Sequence, residues 1–175
     1  MTSFARWVSW ASRLSGYIAA ALMLVSVLVV CQMVFVRAVL GESSIWQTEF
    51  VTFALTAATF LGAPYILLVK GHVNVDLLPM MMGHAARKRL ALLANLLAFA
   101  FCAIFFYSSL HWWWDAWSMN LTTSSIWRAR LWIPYASVPV GMGLTCLQYV
   151  ADVWALVTDR ESPFGMDSSI EEVPL

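Results

Sequence analysis

Four uncharged stretches, each long enough to cross a bilayer, constrain this chain more than any motif does. They are Leu14–Val36, Phe50–Val69, Leu90–Trp114 and Leu131–Ala151, with 23, 20, 25 and 21 residues. At about 1.5 Å of rise per residue, even the shortest spans roughly 30 Å as a helix, the thickness of a bilayer's hydrocarbon core. Composition points the same way. The chain is 61% hydrophobic and 11% charged, whereas soluble domains carry about a quarter charged residues. Mean hydropathy is +0.74. Ten Lys or Arg balance ten Asp or Glu, so only the placement of charge is informative. No basic stripe exists beyond Arg87-Lys88-Arg89, and a nucleic-acid partner is not expected.

In chain order, residues 1–13 form a short head with Arg6 and Arg13. The first apolar run exceeds the roughly 7–15 residues of a cleavable signal peptide. It reads as a retained transmembrane helix over about 14–36, ended by Arg37. Ser44 and Gln47 then make a capping-box pattern for a second helix, about 46–69. Within it Ala54, Ala58 and Gly62 recur every four residues, a spacing that lets a neighbouring backbone come close. Thr52, Thr56 and Thr59 form a second, mildly polar face, expected to point at another helix rather than at lipid.

The loop at 70–89 holds Gly71, His72, Asp76, Pro79 and the basic cluster. Its middle, Val75–Gly83, is apolar enough for a short interfacial helix. The third helix, about 90–114, ends in His111-Trp112-Trp113-Trp114 followed by Trp117, an aromatic belt for a membrane–water boundary. A polar connection, Asp115–Arg130, leads to a fourth helix over about 131–157. Pro134 fits its first turn; Pro139 lies deeper and should kink it or shift its start. Ser137, Gly141 and Thr145 repeat the small-every-four pattern. Residues 1–158 thus read as one four-helix membrane domain, and 159–175 as an acidic, mobile tail.

The fold class is an all-α membrane protein with four transmembrane helices. Four crossings put both termini and the 70–89 loop on one side. That side carries Arg6, Arg13, Lys70, Arg87, Lys88, Arg89 and Arg160; the other carries Arg37, Arg128 and Arg130. The positive-inside rule therefore places both termini in the cytoplasm.

The helix centres carry little chemistry. No Asp, Glu, Lys, Arg or His sits mid-run, although ion and substrate pathways through lipid usually need such groups. The fourth helix has an interior proline, Pro139, and Pro64 lies in the second half of the second helix, but broken helices at matching places in two halves are not visible. Histidines at matched depth, as a haem would need, are absent: His72 and His111 fall at opposite faces, and His84 lies in the loop. No nucleophile–base, phosphate-loop or two-carboxylate pattern stands out, and Glu49 and Asp76 lie on opposite sides. Cys31, Cys102 and Cys146 each lie in an apolar run without metal-site spacing. A non-catalytic scaffold or accessory subunit, without cofactor or metal, fits these features.

The stretch Trp46–Asp76, with the four-helix plan around it, resembles one family. Trp46-x-x-Glu49 opens the second helix, Phe60-Leu61-Gly62-Ala63 lies within it, and Gly71-His72-Val73-x-Val75-Asp76 follows it. Ile133-Pro134-Tyr135 and Pro139-Val140-Gly141 come later. These are similar to the small, DctQ-type membrane subunit of tripartite ATP-independent periplasmic (TRAP) transporters. One departure is that family members often carry a second carboxylate beside that of Glu49, where Thr48 and Phe50 stand here.

The resemblance implies a bacterial inner-membrane subunit that packs against a large membrane subunit. It implies a periplasmic binding protein delivering a solute, commonly an organic acid, and uptake driven by an ion gradient. It also implies packing or structural roles for Trp46, Glu49, Gly62, Gly71, His72 and Asp76, beside the Ala54 and Ala58 face. The other reading is a membrane anchor for a redox enzyme that binds haem or quinone.

Overall fold

The computed structural model describes residues 3–41, 45–69 and 84–158, all helical apart from short connections. α1 spans Ser3–Phe35 and continues as a π-helical turn, Val36–Leu40. α2 spans Trp46–Leu68, α3 His84–Ser118, α4 Trp132–Tyr135 and α5 Ser137–Val157. No strand occurs among the described residues, only an isolated antiparallel bridge between Thr122 and Arg130. Four helical spans are long and apolar enough to cross a membrane: Phe4–Leu40, Trp46–Leu68, Arg89–Ser118 and Trp132–Val157. The expected interfacial helix, Val75–Gly83, and the 159–175 tail lie outside the described residues.

The helices run further than the uncharged runs. α1 begins at Ser3, so Arg6 and Arg13 are helical; both are exposed. α3 takes in Arg87-Lys88-Arg89 at its start and Asp115 near its end. Charge does not break a helix; it only marks where the helix leaves lipid. α1 stops where Gly41 takes a left-handed conformation, φ 68°, which glycine adopts without steric cost. The fourth crossing is broken where its prolines predict. Pro134 sits within the four-residue α4, Ala136 separates the pieces, and Pro139 falls in the first turn of α5. In a first turn the missing proline N–H has no helical partner to lose.

The bundle runs up-down-up-down. α1 packs along α2, α2 along α5, and α3 chiefly against α5. Glycine allows two close approaches. A Cβ on Gly141 would meet the Phe60 carbonyl oxygen at 2.2 Å, so α5 lies directly on the α2 backbone. A Cβ on Gly16 would lie 2.5 Å from the Tyr65 ring, seating that ring on α1. Phe60 and Phe105 stack at 5.8 Å and tie α2 to α3.

Polar side chains clasp both ends. At the end shared by the start of α1 and the end of α5, Ser12 donates to Gln148 Oε1 at 3.2 Å, and Gln148 Nε2 donates to Asp152 at 3.0 Å. Ser12 and Gln148 are buried. At the opposite end Gln47, 2% exposed, donates to Gln32 Oε1 and joins α2 to α1. In an apolar surround such amide pairs satisfy groups that would otherwise be stranded. Gln47 therefore reaches across to α1; Ser44, its capping-box partner, lies outside the described residues.

Candidate functional site

α2 presents two nearly opposite faces, because residues three or four apart share a side of a helix. On one, Ala54 and Ala58 are buried inside the chain. Gly62 continues that face, where an added Cβ would sit 3.6 Å from the Ala19 side chain of α1. The small-residue stripe is thus occupied by this chain's own helices. The other face carries Glu49, Thr52, Thr56 and Thr59, of which Thr52 and Thr59 are exposed. No helix among the described residues covers Thr52 or Thr59. The three threonine hydroxyls are satisfied locally, donating to the carbonyls of Thr48, Thr52 and Leu55 at 2.9 Å each. Back-bonded threonine needs no polar neighbour, so its methyl side can lie against lipid or a partner.

Trp46 opens α2 and is 41% exposed. Glu49 follows in the first turn. It is half-buried, and its Oε2 is closed to solvent with no hydrogen-bond donor among the described residues. Beside it lies a cavity of about 530 Å³ lined by Thr48, Glu49, Thr52, Phe53, Thr122, Thr123, Ser124 and Leu131. Its far wall belongs to the connection between α3 and α4, which folds back on itself. Thr123 N–H donates to the Ala129 carbonyl, Ala129 N–H returns a bond to Thr123 Oγ1 at 3.0 Å, and Leu131 N–H donates to Leu121. Asn120 and Arg128 take left-handed conformations, φ 48° and 47°, to make these turns. Of the remaining family-motif residues, Gly71, His72 and Asp76 lie outside the described residues.

The tryptophans after His111 do more than mark an interface. Trp113 Nε1 donates to the Trp132 carbonyl at 3.0 Å, Trp117 meets Trp132 edge-on at 4.6 Å, and Trp112 stacks on Tyr135 at 4.9 Å. They fasten the end of α3 to α4 and so hold up the wall opposite Glu49. His111 itself is exposed. Among the described residues no three His, Cys, Asp or Glu side chains converge on a point where a metal could sit.

Sequence reasoning missed the pairing of Gln32 with Gln47 and the Ser12–Gln148–Asp152 chain. Glutamines inside apolar runs were the available signal.

A family model described as tripartite ATP-independent periplasmic transporters, DctQ component, matches residues 26–159. The chain belongs to the DctQ family. The match takes in α2, α3, α4, α5 and the last part of α1. This DctQ chain is a multi-pass membrane protein, the small membrane component of a TRAP transporter. No curated protein matches it.

Proposed function

We propose that this DctQ chain is the non-catalytic scaffold subunit of a secondary active importer in the bacterial inner membrane. It packs against a large membrane subunit, which moves the solute. A periplasmic binding protein delivers that solute, an organic acid, and an ion gradient drives uptake. The observation that carries the reading is the family match over 26–159, coinciding with four membrane-length helices. The interior supports it. The buried side chains among the described residues are most often Ala and Ser, and two of the buried polar ones, Gln47 and Gln148, bond across to α1. The haem- or quinone-anchor reading gains nothing from the match.

Both termini lie in the cytoplasm in this reading, and the Gln32–Gln47 end faces the periplasm. Ala54, Ala58 and Gly62 hold the chain itself together. Trp46 and Glu49, with Gly71, His72 and Asp76 in the inner loop, shape the contact with the large subunit.

Reconstitution tests this. Vesicles holding this chain and the large subunit, supplied with the binding protein, should take up a carboxylate solute down a sodium gradient. Omitting this chain should abolish uptake. Solute flux through vesicles containing this chain alone would overturn the reading.

A further inference from the structure

We infer that the Glu49 cavity receives a basic side chain, arginine or lysine, from the large membrane subunit. This rests on the scaffold reading above. The first ground is the unmet carboxylate oxygen: Oε2 is shut from solvent and accepts nothing within the described residues. A buried carboxylate without a partner is costly, and a cation is what relieves it.

The second ground is the lining. None of the eight residues around the cavity is Lys, Arg or His, and five carry hydroxyls: Thr48, Thr52, Thr122, Thr123 and Ser124. Three of those hydroxyls already have local bonds. Thr48 donates to Met33 Sδ, Thr52 donates to the Thr48 carbonyl, and Thr123 accepts from Ala129 N–H. Each hydroxyl oxygen keeps acceptor capacity for a donor-rich guest. An anionic solute would find a carboxylate here and no fixed cation, so the site excludes the cargo and favours a positive group.

The third ground is size and position. A volume of about 530 Å³ is far more than a bare ion fills, and suits a long side chain whose stem lies along Phe53 and Leu131. The cavity also opens at the head of the face carrying exposed Thr52 and Thr59, opposite the stripe that this chain buries for itself. A partner helix laid on that face would bring a side chain to Glu49. The chain's own Arg128 and Arg130, on the neighbouring connection, are exposed and line none of the cavity.

The experiment is affinity recovery of the large subunit by a tagged small subunit, co-expressed and solubilised in mild detergent. Wild-type recovery comes first, since failure there would overturn the scaffold reading itself. Glu49→Gln keeps the shape and removes the charge, and should lower recovery about tenfold or more, as for a lost buried ion-pair partner. Isolated Glu49→Gln subunit should melt at or above the wild-type temperature, since the variant removes an unpartnered charge. Glu49→Lys should lose the complex and regain it through a basic-to-acidic exchange in the large subunit. Undiminished recovery of Glu49→Gln, or a lowered melting temperature for that variant alone, would overturn the inference. So would loss of the wild-type complex when choline replaces sodium, which would make the guest a metal ion.

Discussion

Gly141 offers the sharpest test of how the bundle is held together. Replacing it with alanine adds one methyl group, which would land 2.2 Å from the Phe60 carbonyl oxygen, 2.5 Å from the Phe60 carbonyl carbon and 3.1 Å from the Leu61 nitrogen. All three are α2 backbone, so no rotamer change relieves the contact. Ordinary contact begins near 3.4 Å, and the first distance falls about 1.2 Å short of it. α5 and α2 must separate by a similar amount. A radial gap of roughly 0.5–1 Å already forfeits a quarter to a half of the dispersion attraction across an interface. Overpacking of this kind costs about 1–3 kcal/mol, and the upper half of that range is expected because the obstacle is main chain. Helix propensity works against the effect, since alanine is about 1 kcal/mol better than glycine within a helix. The net loss should therefore be about 1–2 kcal/mol, roughly a tenfold shift in the folding equilibrium. Unfolding of the purified subunit in mixed micelles of rising SDS content would read it out. Gly62→Ala is the control: its methyl would sit 3.6 Å from Ala19, an ordinary contact, and should be neutral or slightly stabilising. Equal stability of the two variants would refute the reasoning.

Other outcomes follow from the same contacts. Gly16→Ala places a methyl 2.5 Å from the Tyr65 ring, a side chain rather than backbone. It should destabilise by about 1–2 kcal/mol, and a double-mutant cycle with Tyr65→Ala should recover most of the loss. Gln32→Leu and Gln47→Leu each break the amide pair joining α1 to α2. Their cycle should give a coupling of about 0.6 kcal/mol, and at most about 1.7, the range found for hydrogen bonds between membrane helices; zero coupling would mean that the pair contributes nothing.

Much of this architecture can be read from where charge is missing. Four uncharged runs locate four crossings, because a charged group is excluded from the hydrocarbon core but not from a helix. The same fact explains why the runs misjudge the ends. Arg6 and Arg13 in α1, and Arg87 to Arg89 and Asp115 in α3, ride on continuous helix. Pro139 moves the start of α5, as its fixed φ and missing donor require. The every-four stripes were legible because helix geometry alone puts Ala54, Ala58 and Gly62 on one side. Which neighbour each stripe meets was not legible, because that depends on helix order. The threonine face was legible as a stripe, but its local bonding was not: each hydroxyl bonds the carbonyl four residues before it. The setting of Glu49 could not be foreseen, because the cavity beside it is closed by Thr122 to Ser124, more than seventy residues further along the chain.

The length of the first helix carries its own consequence. Phe4–Leu40 is 37 residues, a rod of about 55 Å at 1.5 Å per residue. A crossing inclined by 40°, the steep end of what membrane helices adopt, uses up only about 39 Å of it in a layer about 30 Å thick. The surplus, about 16 Å or some ten residues, must stand clear of the hydrocarbon as a stalk. At its Ser3 end the stalk is continuous α-helix with the membrane rod and has no joint at the waterline, so any lean imposed on it there is handed straight to the buried end.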